Sequence, residues 1–583
     1  MSNQSDEKKN VTNVRKLADK AAGAAFGCLA VFMLFTSFRL CLGNDIWYDE
    51  LFTEGFISQP LERMLSLAAR DVHPPLYYII VKGAVELAHF FVPGVDAVTV
   101  SKMVSVIPFL LLLLYSATLV RKRYGWLCAG LFSFCILAMP QLSGFTVEVR
   151  MYSWAMFFIT AAYFHGMEIT FRGGKTCAAG QANIAGRTCA AGQTNIAGGT
   201  CAAGQTNIAG GMRTAGQTRH EGTARRKGYV HHWAAFILYG ICAAYTHYFA
   251  AVAAACLYLF LAGMLLWRRK AGNKREGTKA GNEREDAKDW RWWLGGAALS
   301  VLAYLPWLGV VVSQVSAVKE NYWILPLTWS CFGGCVKFVL KPSTGYMWLD
   351  YLLAVAAFGL LALFLVRAFF RRKKDTEEWQ AAVWASGGIW ILGGTALFGI
   401  LVSFLMRPIF IYRYMLPALG CFWFCFAWYV SRQKRLLMVP ALALLLGVGL
   451  ADYKSFAEVE MYRRTQMERT LKELEGLGED SVVLFNFDQV QAVAGFYLDQ
   501  ETWLYGSRPE ELIQEMFPKL SGGVDTAWIR EKLEEGRTVW FVGSNQAREA
   551  ILAEWRKEGI RVEEQVDGCL LERYWFNLYR LGC

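Results

Sequence analysis

Runs of about 17–24 mostly apolar residues recur along this 583-residue chain, and each is long enough to cross a bilayer core of about 30 Å. Lipid offers no water to unpaired backbone groups, so such runs are confined to helices whose hydrogen bonds are satisfied internally. The pattern predicts about eleven crossings, near 21–42, 98–120, 124–141, 151–171, 229–246, 248–267, 292–313, 347–369, 383–405, 411–430 and 435–451. The first run is too long and too aromatic for a cleaved signal peptide and shows no convincing cleavage site, so it reads as an uncleaved helix. The stretch Pro74–Phe91 is also apolar, but counting it as a crossing would invert every later loop. It reads as an interfacial helix.

Orientation follows from the basic residues. Arg121-Lys122-Arg123, Arg225-Arg226-Lys227, Arg268-Arg269-Lys270, Arg371 to Lys374 and Arg432 to Arg435 each border an apolar run. Placing all five clusters inside, with the N-terminus, satisfies the positive-inside rule and leaves the C-terminus outside. The net charge of +11 is thus dispersed between spans rather than gathered on one face, which excludes a nucleic-acid partner. The expected fold class is an α-helical polytopic membrane protein with a small C-terminal extracytoplasmic α/β domain. Residues 1–20 form a cytoplasmic tail, 21–451 the membrane domain with a first outer loop at 43–97, and 452–583 the soluble domain.

The segment 174–228 holds a tandem twelve-residue repeat, GKTCAAGQANIA, GRTCAAGQTNIA and GGTCAAGQTNIA, then a decayed copy. Its composition cannot bury a core, so it reads as a disordered cytoplasmic insertion. Cys177, Cys189 and Cys201 recur with the repeat and lack flanking histidines at ligand spacing, which favours duplication over a metal series. Its Gly-Gly-Lys-Thr lacks the earlier glycine of a phosphate-binding loop. Cys331 and Cys335, on an expected outer loop, are candidates for a disulfide. In the C-terminal domain, Ser481–Phe485, Thr538–Val542 and about Cys569–Leu581 read as strands, with helices at Asp488–Leu498 and Gln546–Glu558. No Gly-rich phosphate loop accompanies them, which argues against a nucleotide role.

Chemistry is expected at the outer ends of the helices. The first outer loop carries WYDELF, with Asp49 and Glu50, and DVHPPLYY, with Asp71 and His73. A carboxylic acid in apolar surroundings has its pKa raised toward the range of a general base. The competing reading is a solvated acidic loop beside an interfacial aromatic belt. Later outer junctions bring Glu148 and Arg150, His247 and Tyr248, Tyr322 and Trp323, and Arg407 and Arg413. Arginines on the outer side run against the charge bias, and a phosphate suits a guanidinium through paired hydrogen bonds. The alternative is arginines snorkelling to lipid headgroups.

The succession WYDELF, DVHPPLYY, SKMVSVIPFLLLLLYSATLVRKRYG, VEVRMY, YTHYFA, YLPWL with NYW, and RPIFIYRYMLPAL resembles bacterial relatives of the protein O-mannosyltransferases and the aminoarabinose transferases of lipid A. The likeness runs over roughly residues 25–430. It implies the C-type glycosyltransferase fold, a polyprenyl-phosphate-linked sugar donor, and transfer to an acceptor hydroxyl outside the cell membrane. The acceptor would be a protein, a cell-wall polymer or a lipid. By this resemblance Asp49 takes the place of the first-loop catalytic carboxylate and Glu50 that of its neighbour. Glu148 takes the second-loop acidic position, where some relatives carry Asp. No cofactor is assigned, and a divalent metal is the one candidate. Arg413, with Arg150, would neutralise the departing phosphate, while His73, Tyr248, Tyr322 and Trp323 would shape the sugar and acceptor pocket. Single displacement would invert the anomeric centre. The runner-up function is a lipid-linked saccharide transporter or flippase. It would more often place charges at mid-membrane in two related halves, and no internal repeat of the helices is visible here.

Overall fold

The computed structural model describes residues 2–172, 209–272, 279–317, 324–370 and 377–583. Every expected crossing lies on a helix. Among the described residues, eight helices are long and apolar enough to span a membrane, from Asn13–Leu40 to Arg435–Glu475. The other three expected crossings are shorter or carry polar side chains. Trp126–Ala138 has 13 residues, Tyr152–Arg172 carries His165 and Glu168, and Ala209–Thr246 carries His231 and His232. The chain is a multi-pass membrane protein.

Packing within the bundle uses backbone proximity where side chains are smallest. Gly23 of the first helix meets Gly130 of Trp126–Ala138 so closely that a Cβ on Gly130 would collide with the Gly23 carbonyl. Small residues at helix crossings permit this in lipid, where no hydrophobic force drives helices together. Pro74–Phe91 is indeed helical from Leu76, over 16 residues. It follows two short helices of the first loop, Tyr48–Ile57 and Leu61–Arg70.

Three expectations need correction. Cys331 and Cys335 lie on the helix Cys331–Leu340 rather than in a loop, and both are free thiols. The helix expected from 229 begins at Ala209, inside the segment read as an unstructured insertion. Residues 173–208, which carry the clear repeats, lie outside the described residues. The region about Cys569–Leu581 is not one strand but the end of β5 (Arg561–Leu571), a tight turn, and β6 (Tyr574–Gly582). The turn residue Glu572 takes a left-handed backbone, φ 52, which non-glycine residues seldom adopt.

The C-terminal domain is one six-stranded sheet in the order β3-β2-β1-β4-β6-β5. Its first four strands are β1 (Val482–Phe485), β2 (Thr502–Tyr505), β3 (Leu520–Val524) and β4 (Val539–Ser544). These pair in parallel, and β6 and β5 add antiparallel. The sheet is anchored to the long helix Arg435–Glu475, where the Thr470 hydroxyl donates to the Leu570 carbonyl at 3.1 Å. It is also anchored to the loop that follows the first helix. Arg70 pairs with Glu515 at 2.5 Å and Glu511 at 3.1 Å, the Tyr48 hydroxyl donates to Glu510 at 2.7 Å, and Ile46 N–H donates to the Tyr497 hydroxyl at 3.2 Å. The domain therefore sits on the loop that carries Asp49.

Candidate active site

Asp49 and Glu50 open the helix Tyr48–Ile57, where first-turn carboxylates favour the positive helix end. Their roles separate at once. Glu50 is buried, and its carboxylate accepts from Trp47 N–H at 3.1 Å and Val149 N–H at 2.5 Å. It also pairs with the buried Lys102 at 3.4 Å. Burial pushes its pKa up, but every bond it makes is to the protein itself. Asp49 remains partly accessible, with 23% of its side chain exposed.

Glu50 thereby also fixes the second loop. Val147 to Arg150 is held as a strap by Glu50, by the Thr53 hydroxyl donating to the Val149 carbonyl at 3.1 Å, and by the Ser105 hydroxyl donating to the Glu148 carbonyl at 2.7 Å. The strap delivers Arg150 to Asp49, whose carbonyl accepts from Arg150 Nη1 at 2.7 Å. Arg150 Nη2 donates to His73 Nε2 at 2.9 Å. His73 is aimed by the two prolines that follow it, since a residue before proline is held extended. Its ring stacks on His247 at 5.4 Å. His247 occupies the break between Ala209–Thr246 and Tyr248–Gly272, and accepts from Phe249 N–H through Nδ1 at 3.1 Å. Tyr152 lies 5.3 Å from His247 and 5.8 Å from Arg413 between ring centre and guanidinium. Arg413, on the turn Tyr412–Met415, closes the circuit by pairing with Asp49 at 3.0 Å.

This ring of groups is rich in unused donors. Among the described residues, Arg150 Nε, Arg413 Nε, His73 Nδ1, His247 Nε2 and the Tyr152 hydroxyl are buried without a hydrogen-bond partner. Burial and then Arg150 lower the pKa of both imidazoles, that of His247 to about 3. Neutral rings that accept through His73 Nε2 and His247 Nδ1 must carry their protons on His73 Nδ1 and His247 Nε2. Two guanidiniums, two imidazole N–H groups and a phenol therefore form one linked group, joined to Asp49 through Arg413 at its carboxylate and Arg150 at its backbone carbonyl. Buried donors left unpaired are costly, so an anion is the natural guest of this arrangement.

The remaining candidates fall around it. Glu148 is half-buried, and its carboxylate makes no hydrogen bond or ion pair with any described residue. Burial, followed by Glu50, raises its pKa to about 8. Asp71 accepts from the Tyr78 hydroxyl at 3.1 Å. Tyr248 is turned elsewhere: its hydroxyl donates to Gln314 and accepts from Trp307 Nε1 at 3.2 Å, and Gln314 bonds the Asp71 carbonyl. Tyr322 and Trp323 lie outside the described residues. Arg407 is half-buried at the same junction as Arg413. Among the described residues no group of three or more His, Cys, Asp or Glu side chains is arranged to hold a metal ion.

Sequence reasoning missed Lys102, Tyr152 and Arg573. Lys102 had a signal, being a lone cation within the apolar run 98–120, which marks a partnered charge. Arg573 had none. It reaches the site only because the β5–β6 turn brings it 4.0 Å from the Trp47 ring centre.

No family model matches the sequence, and no curated protein matches it. The fold has solved counterparts. ArnT from Cupriavidus metallidurans in the apo state superposes with a TM-score of 0.51 at 12% identity, over 96% of this chain and 97% of that chain. The same protein bound to undecaprenyl phosphate gives 0.52 at 13% identity over the same shares. An oligosaccharyltransferase of Archaeoglobus fulgidus, in complex with Zn and sulfate, gives only 0.37 at 11% identity over 88% of this chain and 67% of that chain. The chain thus has the C-type glycosyltransferase fold, a helical membrane domain carrying a small C-terminal sheet.

Proposed function

We propose that this chain is a membrane glycosyltransferase that moves a sugar from a polyprenyl-phosphate-linked donor to an acceptor hydroxyl on the outer face of the cell membrane. The observation that carries the reading is one network in which Arg413 pairs with the Asp49 carboxylate, Arg150 bonds the Asp49 backbone carbonyl and His73, and His73 stacks on His247, with buried donors of all four left unpaired. A sugar phosphate ester brings an anion that these donors suit, and a reacting carbon beside it. The ArnT structure bound to undecaprenyl phosphate has the same fold, which supports a lipid phosphate as the carrier.

The chemistry runs through groups already in place. The donor phosphate takes hydrogen bonds from Arg413 and Arg150, competing with Asp49 for the Arg413 guanidinium. As the acceptor oxygen bonds to the anomeric carbon, Asp49 takes its proton, and the bond to the phosphate oxygen breaks with its electron pair. The two arginines and the N–H groups of His73 and His247 hold the charge that develops on the leaving phosphate. Glu50 acts by position, tying the strap and helix together. One displacement inverts the anomeric carbon. Purified full-length protein given a radiolabelled polyprenyl phosphate sugar and an envelope extract tests this reading: polyprenyl phosphate and a labelled, inverted glycoside should appear together. Movement of intact donor across a vesicle bilayer with no bond cleavage would instead mark a transporter.

A further inference from the structure

Beside the proposed phosphate site lies a polar cavity of about 370 Å³. Trp47, Glu50 and Glu148 line the cavity on the side of Asp49, whereas Asp49, Arg150, Arg413 and the two histidines are not among its lining residues. The opposite wall comes from the C-terminal domain and its supporting helix, through Glu572, Arg573 and Arg463. That wall is built. Glu572 N–H donates to Asp45, Glu572 pairs with Arg463 at 3.0 Å and with Arg573 at 2.6 Å, and Arg573 lies over Trp47 at 4.0 Å.

Three features define what such a cavity accepts. Six carboxylates and three cationic side chains line it, so a guest bearing phosphate or carboxylate meets an excess of acid. Most of these charges are already paired: Glu50 with Lys102, and Glu460 and Glu572 with Arg463. Paired carboxylates and guanidiniums still offer lone pairs and N–H groups to hydroxyls without surrendering their partners. Glu148, with no partner of its own, opens into the space. Phe145 and Phe456 add apolar faces, which suit the C–H face of a sugar ring. The volume falls at the low end of small-molecule sites, about 300–1,000 Å³, a size that suits one or two sugar rings.

We propose that this cavity is the acceptor site, that its guest is a neutral, hydroxyl-rich saccharide unit, and that the Glu572-Arg573 turn of the C-terminal domain selects it. The proposal rests on the glycosyltransferase reading but is tested apart from it. Full-length protein in lipid nanodiscs is titrated with methyl pyranosides of gluco, galacto, manno and 2-acetamido configuration by saturation-transfer NMR. Undecaprenyl phosphate binding is measured in parallel. Ser455 lines the cavity, so Ser455→Trp fills it, and Arg573→Ala removes the turn's guanidinium. At least one pyranoside should bind the parent. Both variants should weaken it by roughly tenfold or more while undecaprenyl phosphate affinity stays within about twofold. If no pyranoside binds the parent, if Ser455→Trp binds it unchanged, or if only a serine-bearing peptide binds, the saccharide site is overturned. Unchanged binding by Arg573→Ala would remove the turn's part. Failure of undecaprenyl phosphate to bind the parent would instead strike the donor reading and leave the saccharide result standing.

Discussion

Arg413 offers a quantitative test of the phosphate assignment. Its guanidinium is 3.0 Å from Asp49, with 23% of each side chain exposed, and its Nε is buried without a partner. Most of the solvation cost of ordering this group is therefore met before any donor arrives. A hydrogen bond to a charged group is worth about 1.5–3 kcal/mol when solvent no longer competes. Losing one such bond to the donor phosphate weakens binding by about 10- to 150-fold at about 1.4 kcal/mol per decade. Arg413→Ala should fall in that range. Arg413→Lys keeps the charge but not the planar fork, so its affinity should lie between. The assay is undecaprenyl phosphate binding to purified, full-length protein. If both variants bind as the parent does, the phosphate is held elsewhere and the reasoning from the unused donors is refuted.

Three further outcomes are expected. In a cysteine-free background, cysteines at Ser343 and Ser507 should react with an impermeant maleimide in intact cells and one at Lys270 only after permeabilisation; the reverse would invert the topology. Glu50→Gln leaves the buried Lys102 without its nearest counter-ion, with Asp45 and Glu460 still nearby, and should destabilise the protein by about 3 kcal/mol in a thermal unfolding assay. Adding Lys102→Met should restore most of that loss, and no recovery would mean that Glu50 matters for other reasons. Glu148 is held up to about 8 and Asp45 to about 7 by burial. Between the unfolded carboxyl range and those values, the folded chain keeps protons that the unfolded chain has lost, so stability falls as pH rises through that window. Glu148→Gln should flatten the decline in melting temperature between about pH 5 and 8; an unaltered slope would show that Glu148 does not titrate there.

The helices were legible because apolar length is a property of each segment alone. All eleven expected segments are helical, and even the short helix after Pro74 stands out from its run of apolar residues. The C-terminal sheet was half legible. β1 and β4 are buried along their whole length and read as apolar runs. β2 alternates, and β3, LSGGV, carries two glycines; both depend on pairing with neighbours that the sequence does not show. Asp49, Arg150 and His73 were named from their strings, but their mutual geometry was not. Arg413 was expected to face a phosphate, and the structure adds that it also pairs with Asp49, a contact between residues 364 positions apart by their numbering. Glu50 was expected as the neighbour of Asp49, and the structure adds its bonds to Trp47 N–H, the strap and Lys102. Arg573 was invisible because only the turn between β5 and β6 brings it to Trp47.

The central claim is that Asp49 takes the proton of the acceptor hydroxyl. Asp49→Asn keeps the size and the helix start but removes the proton acceptor. The most direct measurement is single-turnover sugar transfer by purified, correctly inserted Asp49→Asn protein, with donor binding determined on the same sample. A general base typically contributes about 10²–10⁴ in rate, so transfer should slow by at least about 100-fold while the donor still binds. Transfer at near the parental rate with donor bound would contradict the account, and would move the base to another residue, Glu148 first.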